Sequence, residues 1–287
     1  MLKKGTVSKL TIPTAIPTAI LTSRGIEPTA YRAISFADAA EHEPTGVYTV
    51  ARTYHRDRVL LFNDHIDRLE QSARLIGLDV KPDRLALRQA LKRLVDQGGY
   101  SESRFRITIP QALPDQLMLA VEPYKPVPID ILQNGARLAT VQQIRANPMA
   151  KTTAWVAARQ PATQSLPSGT YEGLLVASDG TILEGLSANF YAVLDDILWT
   201  AGDGVLPGIA QRIVFTVAEG FIALNRIPIM LADLPRISEA FISSAGRGIV
   251  PVIKINDTII GNGRPGTKTI TLQSRYNAWA EAHLESI

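Results

Sequence analysis

Residues 46–54, GVYTVARTY, alternate in character: Tyr48, Val50, Arg52 and Tyr54 fall on one side, Val47, Thr49, Ala51 and Thr53 on the other. A period of two is that of a strand with two unlike faces. Residues 59–62 read as its hairpin partner. The next stretch, DHIDRLEQSARLIGL, carries Ile66, Leu69, Ala73, Leu75 and Ile76 as an apolar stripe, so a helix is predicted, with Asn63 or Asp64 as its cap. A second helix is predicted over 82–97, stopped by Gly98-Gly99, with further strands over 104–109 and 116–122. IPTAIPTAI (12–20) reads as an extended arm, since its prolines break any helix.

The two prolines of YKPVP (124–128) favour an extended linker. Beyond it, GLLVAS (173–178) and TILEG (181–185) flank Ser178-Asp179-Gly180, a hairpin signal, and 189–194 with 197–200 form another pair. GIAQRIVFTVAEGFIAL (208–224) reads as a helix opening after Pro207-Gly208. Short strands are predicted at 240–243 and 250–255, and the last 20 residues read as a terminal helix. These strands outnumber the helices that could cover both faces of one sheet, so the class is mixed α and β rather than doubly wound. At 287 residues the chain suggests two domains or one large α/β domain; broken at the YKPVP linker, it divides into 1–128 and 129–287.

Composition narrows the chemistry. With 46% hydrophobic and 20% charged residues the chain is ordinary for a globular protein, neither disordered nor fibrous. The absence of cysteine excludes disulfides, thiolate metal sites and a Cys nucleophile, and fits a reducing cytoplasm. Thirty basic and 27 acidic residues are interspersed, without the basic patch that a nucleic-acid partner needs. No apolar run reaches the length of a membrane span, so no membrane partner is expected. The histidines at 42, 55, 65 and 283 lack ligand spacing, and no metal is expected. GNGRPG (261–266) has the form G-x-G-x-x-G, yet only 21 residues follow Gly266, too few for the rest of a dinucleotide-binding unit; it reads as a turn.

Three features are compatible with one chemistry. Lys151, in RANPMAKTTAWVAARQ, stands between a proline turn and an apolar helix, where a partly buried amine could serve as a nucleophile. Glu184 follows a strand, with Ser187 and Asn189 three and five residues on. LPGIAQR (206–212) opens a helix whose first N–H groups form an anion site. Each alone has an ordinary reading: a surface lysine, a turn carboxylate, a common helix start.

Taken in order with GVYTVARTY, HIDRLEQSA (65–73), EGLSANF (184–190), EAFISSAGRGIVPV (239–252) and IGNGRPG (260–266), they make the chain resemble the fold-type IV (class IV) pyridoxal-phosphate aminotransferases over about residues 27–275. That family holds branched-chain and D-amino-acid aminotransferases, aminodeoxychorismate lyase and (R)-selective amine transaminases. The resemblance implies a small N-terminal α/β domain, a larger C-terminal domain with a barrel-like sheet, pyridoxal 5'-phosphate as cofactor, and a homodimer with its site between the domains. It implies that Lys151 holds the cofactor and later moves a proton, that Arg68 grips the phosphate, and that Glu184 partners the pyridine nitrogen. Ser187 and Asn189 would support that acid and the ring, and Ile209 and Ala210 would cap the phosphate by their backbone amides.

Three departures stand out, one being Val156, where many branched-chain enzymes have Tyr five residues after the lysine. The family usually has Thr at Ala210, and commonly again at Ala245; Ser243 or Ser244 could substitute. The strand GVYTVARTY matches neither the branched-chain nor the D-amino-acid pattern. The resemblance implies ping-pong transfer from an α-amino acid to a 2-oxo acid. Tyr48, Val50 and Trp155 favour a neutral, branched or aliphatic donor, with Arg52 either pairing with the substrate carboxylate or extending to solvent. The Ala245-Gly246 turn, followed by Arg247, would present backbone N–H groups to that carboxylate. Alternatives are a D-amino-acid transaminase, an aminodeoxychorismate lyase, and a cofactor-binding protein without turnover.

Overall fold

The alternating segment becomes the strand Gly46–Tyr54 of a seven-stranded antiparallel sheet. The computed structural model describes residues 14–287, so residues 12 and 13 of the expected arm lie outside it. The sheet runs Leu284–Ser286, Arg58–Leu60, Gly46–Tyr54, Ser103–Pro110, Leu117–Pro123, Thr18–Thr22, Gly25–Pro28. Its side chains divide as a period of two requires. Val47, Ala51, Phe105, Ile107, Leu119 and Val121 are buried against the helices Phe62–Leu75 and Arg84–Gly98. Tyr48, Val50 and Arg106 point the other way, into a cavity described below.

Several expectations need correction. The arm supplies the strand Thr18–Thr22, paired on both edges, and a helix the pattern did not suggest, Phe36–His42, starts at the cap Ser35. The first long helix begins at Phe62, after Leu61 at φ 52, and not behind Asn63 or Asp64. Its N–H at Phe62 donates to Glu285 Oε1 at 2.8 Å, so the cap comes from the far end of the chain. The helix expected over 208–224 is shorter, Ile209–Ala218. Gly220 at φ 68 turns the chain, and Leu224–Asn225 runs parallel to the strand Ile197–Trp199. The C-terminus holds the helix Thr267–Ala282 and then the strand Leu284–Ser286, which returns to the first sheet. GNGRPG forms a turn, with Gly266 preceding that helix.

The second sheet closes on itself. Asn189–Leu194 pairs with Glu239–Ser244, then Gly248–Ile255, Ala136–Gln142, Glu172–Val176 and Ile182–Gly185, and the last strand pairs back through Glu184 to Asn189. This six-stranded barrel fulfils the expected mixed α and β class with a barrel-like sheet. Leu138, Leu174, Phe190, Ile242 and Val250 come from five of its strands and form one buried cluster, the inside. Alternate residues Tyr191, Val193 and Phe241 pack outward under Ile209–Ala218 and Thr267–Ala282. Among the described residues no helix is long and apolar enough to cross a membrane.

Candidate active site

A cavity of about 510 Å³ opens between the two sheets. Lys151 enters it from the segment joining the strand Ala136–Gln142 to the helix Thr153–Gln164. That segment is fastened to the first sheet. Tyr48 N donates to Lys151 O at 2.9 Å, Lys151 N donates to Ser72 Oγ at 3.1 Å, and Gly46 N donates to Thr153 Oγ1 at 2.9 Å. The amine lies 4.8 Å from the centre of the Tyr48 ring. Desolvation, together with Arg68, Arg145 and Arg159, holds its pKa well below that of an ordinary lysine, and Glu184 opposes them. An amine so placed gives up its proton more readily than an ordinary lysine and can then take one from a substrate.

Glu184 is 4% exposed and faces the same cavity. Burial pushes its carboxyl up to about 7, against the pull of Arg145, the Leu206 N–H and Lys151. Arg145 Nη1 stands 3.3 Å from Oε1, and Leu206 N donates to Oε2 at 3.2 Å. Asn189 Nδ2 donates to Leu206 O at 2.9 Å, so acid and amide hold the two sides of residue 206. Ser187 also lines the cavity, but it is exposed, and its hydroxyl donates to Glu172 at 2.6 Å instead of reaching Glu184.

Arg68 is buried yet lines the cavity. Its Nη2 donates to Thr49 Oγ1 at 3.1 Å, and its Nε has no partner among the described residues. Burial lowers its pKa to about 10, so it stays cationic. Ile209 and Ala210 begin the helix Ile209–Ala218 and line the cavity with N–H groups that have no acceptor within the helix. Gly208 precedes them because a Cβ there would meet Asn189 Oδ1 at 2.2 Å. Ser243 and Ser244 also line the cavity. Ser243 Oγ is 3.1 Å from the Tyr191 hydroxyl, and Ser244 Oγ accepts from Arg247 Nε at 2.9 Å.

The structure gathers Tyr48, Val50, Trp155, Ala245 and Gly246 around the same space. Arg52 is not among its lining residues. Its guanidinium is 3.5 Å from Glu102 and stacks on Tyr54 and Tyr124, so here it is held by these groups and does not extend to solvent. Arg247 is also committed, with Nη1 donating to Glu172 at 2.8 Å and Nη2 to Ser187 O at 3.0 Å. The sequence reading missed Arg145, a lone arginine with no local signal. It also missed the buried pair Arg106–Glu43 at 2.6 Å, whose partners are 63 residues apart in sequence. No group of metal-ligating side chains occurs among the described residues.

Residues 46–255 match the family of class IV amino-transferases, and the chain belongs to that family. D-alanine aminotransferase of Staphylococcus aureus (strain N315) is 25% identical over 275 residues, covering 87% of this chain and 93% of that protein. The fold is similar to that of the branched-chain amino acid aminotransferase of Escherichia coli, with TM-score 0.77, 20% identity, and 95% of this chain and 97% of that one covered. It is similar also to the branched-chain aminotransferase of Thermoproteus uzoniensis with norvaline, with TM-score 0.76, 22% identity, and 95% and 99% covered.

Proposed function

We propose that this aminotransferase uses pyridoxal 5'-phosphate to move the amino group of a neutral α-amino acid to a 2-oxo acid. One observation carries the reading: a low-pKa amine, a buried acid and an unneutralised guanidinium face a single cavity, at Lys151, Glu184 and Arg68. These fit the cofactor's three handles, an aldehyde, a ring nitrogen and a phosphate. When bound, the cofactor supplies a protonated ring that accepts electrons from the bond broken at the substrate Cα.

Lys151 would hold the aldehyde carbon, Glu184 the ring nitrogen, and Arg68 with the Ile209 and Ala210 amides the phosphate. Lys151 Nζ would take the proton from the substrate Cα, a task suited to an amine of lowered pKa. Glu184, held by Arg145 and Leu206, is aimed before substrate arrives. The Ala245 and Gly246 N–H groups would receive the substrate carboxylate. Tyr48, Val50 and Trp155 give the side chain an apolar wall, while Arg106 and Arg247 are already paired with Glu43 and Glu172.

A homodimer in the cytoplasm belongs to the same proposal. Exposed Ile34, Ile144 and Met149 are apolar surface that a second copy would cover, and mass in solution checks it. The test of the activity is a donor panel containing both enantiomers of each amino acid, with and without a 2-oxo acid acceptor. Spectral bleaching of the yellow protein by neutral donors, completed by turnover with acceptor, is expected. A yellow protein that no donor bleaches would favour cofactor binding without turnover, and pyruvate release from aminodeoxychorismate would favour the lyase.

A further inference from the structure

Most arginines around the cavity stand beside a carboxylate: Arg104 near Glu122, Arg106 by Glu43, Arg145 by Glu184, Arg247 by Glu172. Arg68 does not. Its one side-chain partner among the described residues is the Thr49 hydroxyl at 3.1 Å, and Thr49 Oγ1 is in turn 3.0 Å from His65 Nδ1. All three residues are buried. Thr49 lies on the helix-facing side of the strand Gly46–Tyr54, a side shared with Val47, Ala51 and Thr53, and His65 and Arg68 share the face of the helix Phe62–Leu75 that meets it.

Direction follows from donors and acceptors. A guanidinium only donates, so Thr49 Oγ1 accepts from Arg68, and the threonine's own proton then needs an acceptor. Neutral His65 supplies one at Nδ1, with its proton on Nε2. Burial and the nearby charges of Arg68, Lys151 and Arg212 keep that imidazole neutral, its pKa well below the usual value. We infer that His65 and Thr49 are positioning residues for the phosphate-binding guanidinium: an imidazole–hydroxyl relay fixes Arg68 without neutralising it. A carboxylate in place of Thr49 would orient Arg68 equally well and cancel the charge that a phosphate dianion needs. The relay matters more here because Ala210 and Ala245 bring no hydroxyl to the phosphate. The inference rests on the cofactor reading above.

The experiment compares two probes on the full-length protein, exchanged from its holo form: pyridoxal 5'-phosphate and pyridoxal, which lacks the phosphate. Equilibrium dialysis gives each dissociation constant. In the wild type the phosphate form is expected to bind far more tightly. Thr49→Val should weaken that binding about tenfold, the worth of one charge-assisted hydrogen bond, and leave pyridoxal unchanged, while Thr49→Ser stays within about twofold of the wild type. His65→Leu should repeat the Thr49→Val loss, and His65→Asn, which places an acceptor near Nδ1, should restore most of it. If Thr49→Val yields no folded protein, the two His65 variants decide the same ratio. Equal losses for both probes, or no loss for either, would overturn the relay and leave a packing role. A wild type that binds neither probe would instead refute the cofactor reading itself.

Discussion

Glu184 and Asn189 are cross-strand partners at the seam that closes the barrel, and both hold residue 206, one through its N–H and the other through its carbonyl. Two residues later comes Gly208, and then the helix start at Ile209 and Ala210. The acid assigned to the ring nitrogen and the amides assigned to the phosphate are thus tied through one peptide. Gly208→Ala should disturb both, since its Cβ would drive into Asn189 Oδ1. Lower thermal stability together with weaker cofactor retention is expected; a variant identical to the wild type in both would show that the seam yields freely.

Lys151→Ala should abolish steady-state transamination and keep the fold. The side chain makes no hydrogen bond to the protein among the described residues, whereas the backbone at 151 is held by Tyr48 and Ser72, bonds that alanine keeps. Circular dichroism checks the fold, and borohydride trapping with peptide mapping checks the attachment point. Wild-type turnover with an adduct at another lysine would end the assignment.

Glu184→Gln should slow proton removal from the substrate far more than it weakens cofactor binding. An amide cannot keep the ring nitrogen protonated as a carboxylate does. Losing a preorganised charge of this kind costs roughly 3 kcal/mol, or about a hundredfold in single-turnover rate. An unchanged rate would contradict the role.

The same carboxyl has a stability signature. Burial raises it from 4.5 to about 7, so between those values the native state keeps a proton that the unfolded chain has released. For an acid whose folded pKa is raised, the contribution is full below the unfolded pKa and is lost as pH rises through the folded one. The loss comes to about 3 kcal/mol. Denaturant unfolding of cofactor-stripped protein should therefore show the wild type losing about that much relative to Glu184→Gln between about pH 4.5 and 8. A difference flat across that range would mean that Arg145 keeps Glu184 ionised throughout.

What the sequence disclosed and what it hid divide along range. The two faces of GVYTVARTY, the apolar stripe around Leu69 and the Pro207-Gly208 helix start are local patterns, and each stands near its expected place. Lys151, Glu184 and Arg68 were found through motif order, and the fold brings them to one cavity. The misses depend on distant partners. Glu285 caps a helix that begins at Phe62, Arg145 meets Glu184 across 39 residues, and Glu102 with Tyr124 draws Arg52 away from the cavity. No window along the chain contains those pairs.

Arg68→Ala should weaken cofactor retention sharply. The guanidinium is the one cationic side chain proposed for the phosphate, and the Ser243 and Ser244 hydroxyls already have neighbours in Tyr191 and Arg247. Removing a hydrogen bond from a charged donor costs about 1.5–3 kcal/mol, roughly ten- to hundredfold in affinity. Dialysis of the mutant against buffer without cofactor, followed by absorbance, reads the loss. Tight retention would mean that the two serines turn to the phosphate when it binds.

The last expectation concerns the turn between the strands Glu239–Ser244 and Gly248–Ile255. Arg247 is pinned there by Glu172, Ser187 and Ser244, so it supports the turn and is not free to reach a substrate. On the proposed reading, recognition of a carboxylate falls to the Ala245 and Gly246 N–H groups, which small residues leave open to close approach. A Cβ at Gly246 would meet nothing within 4 Å in the protein. Gly246→Val should accordingly fold like the wild type, and any penalty must come from the ligand side. We expect kcat/KM for α-amino acids to fall by roughly tenfold or more, the worth of one hydrogen bond to a charged group, with cofactor affinity unchanged and turnover of simple amines unaffected. Should the wild type instead use 1-phenylethylamine better than any amino acid of either hand, the turn is not a carboxylate site, and the amine-transaminase branch of the family becomes the better description of its chemistry.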